Sequence, residues 1–178
     1  MYAVGDFYQH TFDTSRDGNV NSGLHDDLTK YKARLGAAGF DVDSSSFTKS
    51  YRCSPSVCRY VRERLGIEIE SHRDDETAVV PVETIHEARD ILADPCIPKL
   101  FYQKHYVHEC NSNNWGASKG DQHEHVCVVL NKTAVRALAE GGVSSLNPQT
   151  RNKLYVACTR GRGNLYIVSE DLIKKCKK

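Results

Sequence analysis

The stretch Val126 to Leu130, "VCVVL", is the most apolar run in the chain. It has no polar alternation, so as a strand it must be covered on both faces, which suits the centre of a parallel sheet with helices above and below. The remaining sequence supplies the alternation that such a sheet needs. "AVVPVE", "KLFYQ" and "NLYIVS" read as short strands, "IEIESH" alternates like a half-buried one, and "SSFTKSYRCS" reads as a strand ending near Arg52. "YAVGD" is a further apolar strand stopping at Gly5-Asp6, so the chain begins in what reads as the last strand of something else.

Helices fall between these strands. One is expected from about Leu24 to Ala38, closed by Gly39. Another opens with Ser54 as N-cap and Pro55 at its first position, carries Val57, Tyr60, Val61 and Leu65 on one face, and ends at Gly66. "TIHEARDILADP" starts at Thr84 and is stopped by Pro95. A helix from about Thr133 to Glu140 ends on Gly141-Gly142, and "LNPQTRNKLYVACTR" opens with Asn147 and Pro148. "TSRDGNVNSG", Thr14 to Gly23, is dense in turn formers and reads as a connecting loop. Strands alternating with helices point to an α/β layered domain.

At 178 residues and 39% hydrophobic content, one domain with a core is the default, with a second partial one allowed. The formal net charge is +1, from 24 basic and 23 acidic residues, so the total signals neither nucleic acid nor an anionic membrane. Any charged site must be local. Seven cysteines, odd in number and irregularly spaced, argue against a secreted disulfide framework and for a reducing, cytoplasmic setting. No stretch approaches the roughly 20 apolar residues of a membrane span.

Four polar corners sit next to strands: "VGDFYQ" with Asp6 and Gln9, "KSYRCS" with Arg52, "NWGASKGD" with Lys119 and Gly120, and "YVACTRGRG" with Arg160, while Arg162 reads equally as a surface or DNA-facing charge. Ligands of open α/β sheets sit beyond the carboxyl ends of the strands, so such corners are candidate sites.

Taken in order, the corners resemble the later motifs of the superfamily 1 helicases of the UvrD/Rep type. "VGDFYQHTF" is similar to motif III, "SYRCSPSVC" to the "NYRS" motif IV, "GASKGDQHEHVCVV" to motif V, and "KLYVACTRGRGNLYIV" to motif VI, with motif VI the most specific and motif V the most altered. The resemblance implies a RecA-like, P-loop NTPase-type three-layer domain with a mainly parallel sheet. Residues 1–22 would be the end of a first motor domain with its connecting loop, and residues 23–178 the second. It implies ATP and Mg2+ bound mainly by an upstream RecA-like domain, with single-stranded or partly duplex DNA as the track. Gln9 would sense the γ-phosphate, Arg52 would approach it, and Arg160 would be the arginine finger. Asp6, Gly120 and Gln122 would contact nucleotide, and Asn114, Trp115 and Ser118 nucleic acid. The physics agrees, because a guanidinium fork at a rigid corner can stabilise charge spread over a phosphoryl group in the transition state.

The chain also departs from the family. Gln122 stands where a glutamate is usual, "NNWGAS" replaces Thr-His-Ser, and Thr14 replaces an aromatic two residues after Phe12. No "GxxxxGK[ST]" loop or "DExQ" motif occurs, and the interval from Arg52 to Lys119 has no room for a large inserted subdomain.

Three rival readings remain. "HYVHEC" groups His105, His108 and Cys110, and "DQHEHVC" adds His123, His125 and Cys127, but paired Cys-x-x-Cys knuckles are missing and Cys127 sits inside the apolar strand, so no metal is assigned. Cys53 and Cys58 flank a helix start, where a thiol can be activated, although buried cysteine is the commoner explanation. A non-catalytic module binding nucleic acid or protein is the alternative to an ATPase part, with "RYVRER" and "KKCKK" either basic contacts or solvated faces.

Overall fold

The computed structural model describes residues 5–9, 24–45, 48–140 and 145–176. Two-residue strands β1 (Lys49–Ser50) and β2 (Glu70–Ser71) pair in parallel with each other. The main sheet holds β3 (Val79–Val82), β4 (Lys99–Phe101), β5 (Ser112–Asn114), β6 (Val126–Leu130) and β7 (Leu165–Ser169), in the order β3-β7-β6-β4-β5. Every pairing in it is parallel.

The apolar run is the middle strand, as expected, and every residue of β6 is buried. Strand alternation sends its side chains to two cores. Val126, Val128 and Leu130 join residues of α2 (Pro55–Leu65), α4 (Lys132–Ala139) and α5 (Pro148–Cys158) on one face. Cys127 and Val129 join α3 (Ile85–Ala93) and α6 (Glu170–Cys176) on the other. The fold class is therefore α/β, a mainly parallel sheet between two helical layers.

The helix starts follow their caps. Ser54 accepts from the Val57 amide with Pro55 at the first turn, Asn147 accepts from the Gln149 amide, and Thr84 and Glu87 form a reciprocal capping box. α1 (Leu28–Ala37) begins later than expected, because Asp27 is the residue whose carboxylate caps it, and Leu24–Asp26 forms a 3-10 turn instead. Two elements were not expected. β5 reads "SNN", with no apolar alternation to mark it, and α6 begins within the charged sequence that precedes the basic tail.

Of the expected strand "SSFTKSYRCS", residues 46–47 lie outside the described residues, and among the rest only β1 is strand. Of "YAVGD", residues 1–4 lie outside the described residues, and Gly5 and Asp6 lead into a 3-10 turn at Phe7–Gln9. The loop from Thr14 to Gly23 and the Gly141-Gly142 helix end lie outside them too. Among the described residues, no helix is long and apolar enough to cross a membrane.

Candidate anion-binding corner

Arg52 is placed by the turn between β1 and α2. The Ser50 hydroxyl accepts from the backbone amides of Arg52 (3.3 Å) and Cys53 (3.0 Å), after which Ser54 starts α2. The Arg52 guanidinium then reaches across the fold. Its Nη1 donates to the Thr159 carbonyl at 3.0 Å and its Nε to Gln122 Oε1 at 3.3 Å.

Arg160 occupies the C-terminal end of α5, where exposed carbonyl dipoles favour a cation. Its Nε donates to the Val156 carbonyl (2.8 Å) and its Nη2 to the Thr159 hydroxyl (3.1 Å). The side chain expected to project from the corner is folded back on the helix end, and only 2% of Arg160 is exposed. Burial lowers its pKa from the ordinary arginine value, and the like charge of Arg52 adds to that effect. Among the described residues, no carboxylate forms an ion pair with Arg52 or Arg160. The two cations thus share one helix end with no ion-paired carboxylate among the described residues, although the charge of Asp121 acts on Arg160 from farther off.

The segments around Gln122 and Arg160 are joined by backbone. His123 donates from its amide to the Arg160 carbonyl (3.0 Å), Arg162 returns a bond to the His123 carbonyl (2.9 Å), and His123 and Gly161 form a parallel bridge. This ladder leads directly into the β6/β7 pairing, so Gln122 and Arg160 lie at the amino ends of those strands. That corrects the expectation of sites beyond the carboxyl ends. α5 leads directly into β7 through the Arg160 to Asn164 corner, so the end of α5 must meet the start of β7.

Cys53 lies beside the two arginines. The hydrogen bond from the Cys58 thiol, then that with Ser50 and the charges of Arg52 and Arg160, draw its pKa down to about 7 against the opposing effect of burial.

The other expected residues are distributed differently. Asp6 and Gln9 sit on the outer face of α5: the Tyr155 hydroxyl and Gln9 Nε2 each donate to Asp6 Oδ2 at 2.9 Å, and the Arg151 guanidinium lies 5.5 Å from the centre of the Tyr8 ring. Gly120 has a φ of 98°, which only glycine adopts freely. Trp115 and Ser118, the expected nucleic-acid contacts, are fully covered. Trp115 donates through its indole to the Leu100 carbonyl at 2.9 Å, and the Ser118 hydroxyl to the Trp115 carbonyl at 2.7 Å, so both serve to pack the corner. Asn114, half-buried, ends β5.

His108 stacks on Phe101 with ring centres 4.0 Å apart, and His125 Nδ1 accepts from the Asn164 amide at 2.9 Å. Among the described residues, no group of three histidine, cysteine or carboxylate side chains is placed to hold a metal ion. A cavity of about 560 Å³ opens elsewhere, between the end of α3 and the His105–His108 turn, with Tyr106 and Glu109 in its wall.

Arg73 lies outside the four sequence corners. Its guanidinium donates to the carbonyls of both Arg52 and Arg162, the latter at 2.7 Å, and pairs with Asp75. Its one signal is an arginine two residues before an aspartate just past "IEIESH".

No protein-family model and no curated protein matches the chain. Among solved structures, it is similar to "The structure of PRRSV helicase", with 18% identity over 70% of this chain and a TM-score of 0.45. A second match, "Crystal structure of methylated PRRSV nsp10 (helicase)", has 20% identity over 75% of this chain and a TM-score of 0.42. The chain spans 23% and 28% of the lengths of those two chains.

Proposed function

We propose that this chain is the RecA-like second motor domain of an ATP-dependent helicase or translocase of the UvrD/Rep type. Arg52 and Arg160 would face the phosphates of an ATP·Mg2+ held mainly by an upstream domain, and nucleic acid would run across both. One observation supports the reading: two guanidinium groups converge on the Thr159 end of α5 and neither forms an ion pair with a carboxylate among the described residues. Like charges held together in a half-buried corner are destabilising until an anion joins them. A polyphosphate is an anion that arginine forks fit well.

In this reading Arg52 is already directed at the site, held by Gln122, and Arg160 reaches it by leaving the Val156 carbonyl. That bond costs little to exchange for a charged one, because a neutral acceptor is given up for an anionic phosphoryl oxygen. The chemistry of the finger is the stabilisation of charge that develops in the transition state.

The test is steady-state ATP hydrolysis by the chain joined to a phosphate-loop domain. Arg160→Ala is expected to lower turnover on the order of 10³-fold while nucleotide still binds. Near wild-type turnover in that variant sinks the assignment, and an unchanged rate in Arg52→Ala removes that residue from the site. The second reading, a non-catalytic module that binds nucleic acid or protein, is favoured by the near-complete burial of Arg160. It predicts no hydrolysis in the joined protein and retained binding to single-stranded DNA.

A further inference from the structure

We infer that Arg73 is a positioning residue that sets where Arg52 and the Arg160 corner stand relative to each other. The inference rests on the anion-site reading above. Arg73 follows β2, in a stretch with no part in the four sequence corners. One nitrogen, Nη1, donates to two carbonyls: that of Arg52, at the β1/α2 turn, and that of Arg162, just past the end of α5. Two further donors of the fork are held by Asp75, with Nε 2.7 Å from Oδ1 and Nη2 on Oδ2. The plane of the guanidinium is therefore fixed, and the two carbonyls are bridged by one rigid group.

Neighbouring bonds repeat the connection. The Ser71 hydroxyl donates to the Cys53 carbonyl at 2.8 Å and accepts from the Arg73 amide at 2.9 Å. Further along, the Ala78 amide donates to Asn164 Oδ1 at 3.0 Å. The segment from Ser71 to Ala78 thus connects the turn that carries Arg52 to the loop that follows Arg160. The Arg73 side chain is only 20% exposed and its Asp75 partner 40%. With Asp75 open to solvent, charge attraction alone contributes little. Its effect is orientational: Asp75 fixes the fork, the fork fixes two backbone carbonyls, and the carbonyls fix the bases of the arginines that would grip the anion. A site of fixed geometry binds more tightly than one whose arms must be ordered on binding.

The experiment titrates inorganic tripolyphosphate into this chain and follows binding by calorimetry and by the arginine Nε–Hε resonances. Arg52→Ala and Arg160→Ala test the site itself, and each is expected to weaken binding. Arg73→Ala is expected to weaken it about tenfold through lost preorganisation. Arg73→Lys should do the same, because lysine keeps the charge and loses the planar fork. In the Arg52→Ala background, Arg73→Ala should cost clearly less than in the wild-type chain, since one of the two arginines it places is then gone.

Binding that Arg52→Ala and Arg160→Ala leave untouched overturns the anion site and the inference with it. Loss in those variants with full affinity in Arg73→Ala overturns the positioning role alone. So does rescue by lysine, which would mean long-range attraction, and so does an additive loss in the double variant, which would mean general structural support. Should Arg73→Ala fail to fold, Asp75→Asn carries the test. It leaves Arg73 present but its fork unanchored, so a smaller loss of affinity is expected and wild-type affinity is contrary.

Discussion

Gln122 is the residue at which a small chemical difference matters most. Its Oε1 lies 3.3 Å from Arg52 Nε and holds that side chain without neutralising it. A carboxylate there would pair with the cation and compete with any incoming anion. Gln122→Glu is therefore expected to raise the dissociation constant for tripolyphosphate several-fold, an effect kept modest by the exposure of the side chain and reduced further by salt. Equal affinity at low ionic strength would show that Arg52 is not part of the anion site. The cysteines give a second residue-level test. Burial pushes the Cys127 thiol up to about 12, and Cys53, Cys58 and Cys158 are equally covered, whereas Cys96 is exposed. Mass spectrometry after brief alkylation of the native protein should find Cys96 modified first and these four protected until denaturant is added. Early labelling of Cys53 would contradict the packing around Arg52. At this scale the sequence identifies the types of residue better than their states. Arg160 is legible from the glycine-broken corner, but its folding back onto Val156 depends on helix-end carbonyls that sequence does not display. Arg73 was hidden in a charged stretch, "HRDDET", that looks like any solvated loop.

Among the elements, the loop between α5 and β7 has two glycines with different tolerances. A Cβ added at Gly163 would stand 2.6 Å from His125 Nδ1 and 2.8 Å from the Glu124 carbonyl oxygen, whereas one at Gly161 would first meet Val126 Cγ2 at 3.2 Å. Gly163→Ala must push apart backbone that also carries the Gly163 amide bond to the Glu124 carbonyl. A loss of about 1–3 kcal/mol is expected, measured by urea unfolding, with Gly161→Ala costing less because a methyl group gives way more easily than a peptide. Reversal of that order would mean the loop does not approach β6 as described. The elements best marked in the sequence are those whose physics is local. Ser54-Pro55 and Asn147-Pro148 announce α2 and α5, and the run of β6 announces a strand covered on both sides. β5 was missed because "SNN" is held by pairing with β4 and by no pattern of its own. Sequence placed Trp115 and Ser118 in a polar loop that could face nucleic acid, and only the packing of that loop against β4 turns both inward.

For the whole molecule, the two helical layers have different tasks. The layer of α2, α4 and α5 carries the arginine corner, and the layer of α3 and α6 closes the opposite face of the sheet around Ile173, which is fully buried. Ile173→Ala is expected to cost about 2–5 kcal/mol, seen as an earlier unfolding midpoint, while tripolyphosphate affinity measured well below that midpoint stays at the wild-type value. A parallel loss of affinity in the folded variant would show that the layers do not act separately. The overall architecture was readable because alternation of strands and helices leaves few ways to bury a strand like β6. The strand order was not, since it is set by which crossovers pack, and no residue records that choice. One consequence concerns the border of the sheet. Among the described residues β3 pairs only with β7, and the Ala78 carbonyl accepts from the Leu165 amide, so by alternation Val80 and Val82 turn their amides toward β7 and Pro81 turns its nitrogen outward. Proline has no hydrogen to offer there. The β3 rim of the sheet therefore lacks a donor at mid-strand, and a second chain attempting to extend the ladder there would find it interrupted, which guards that edge against edge-to-edge aggregation.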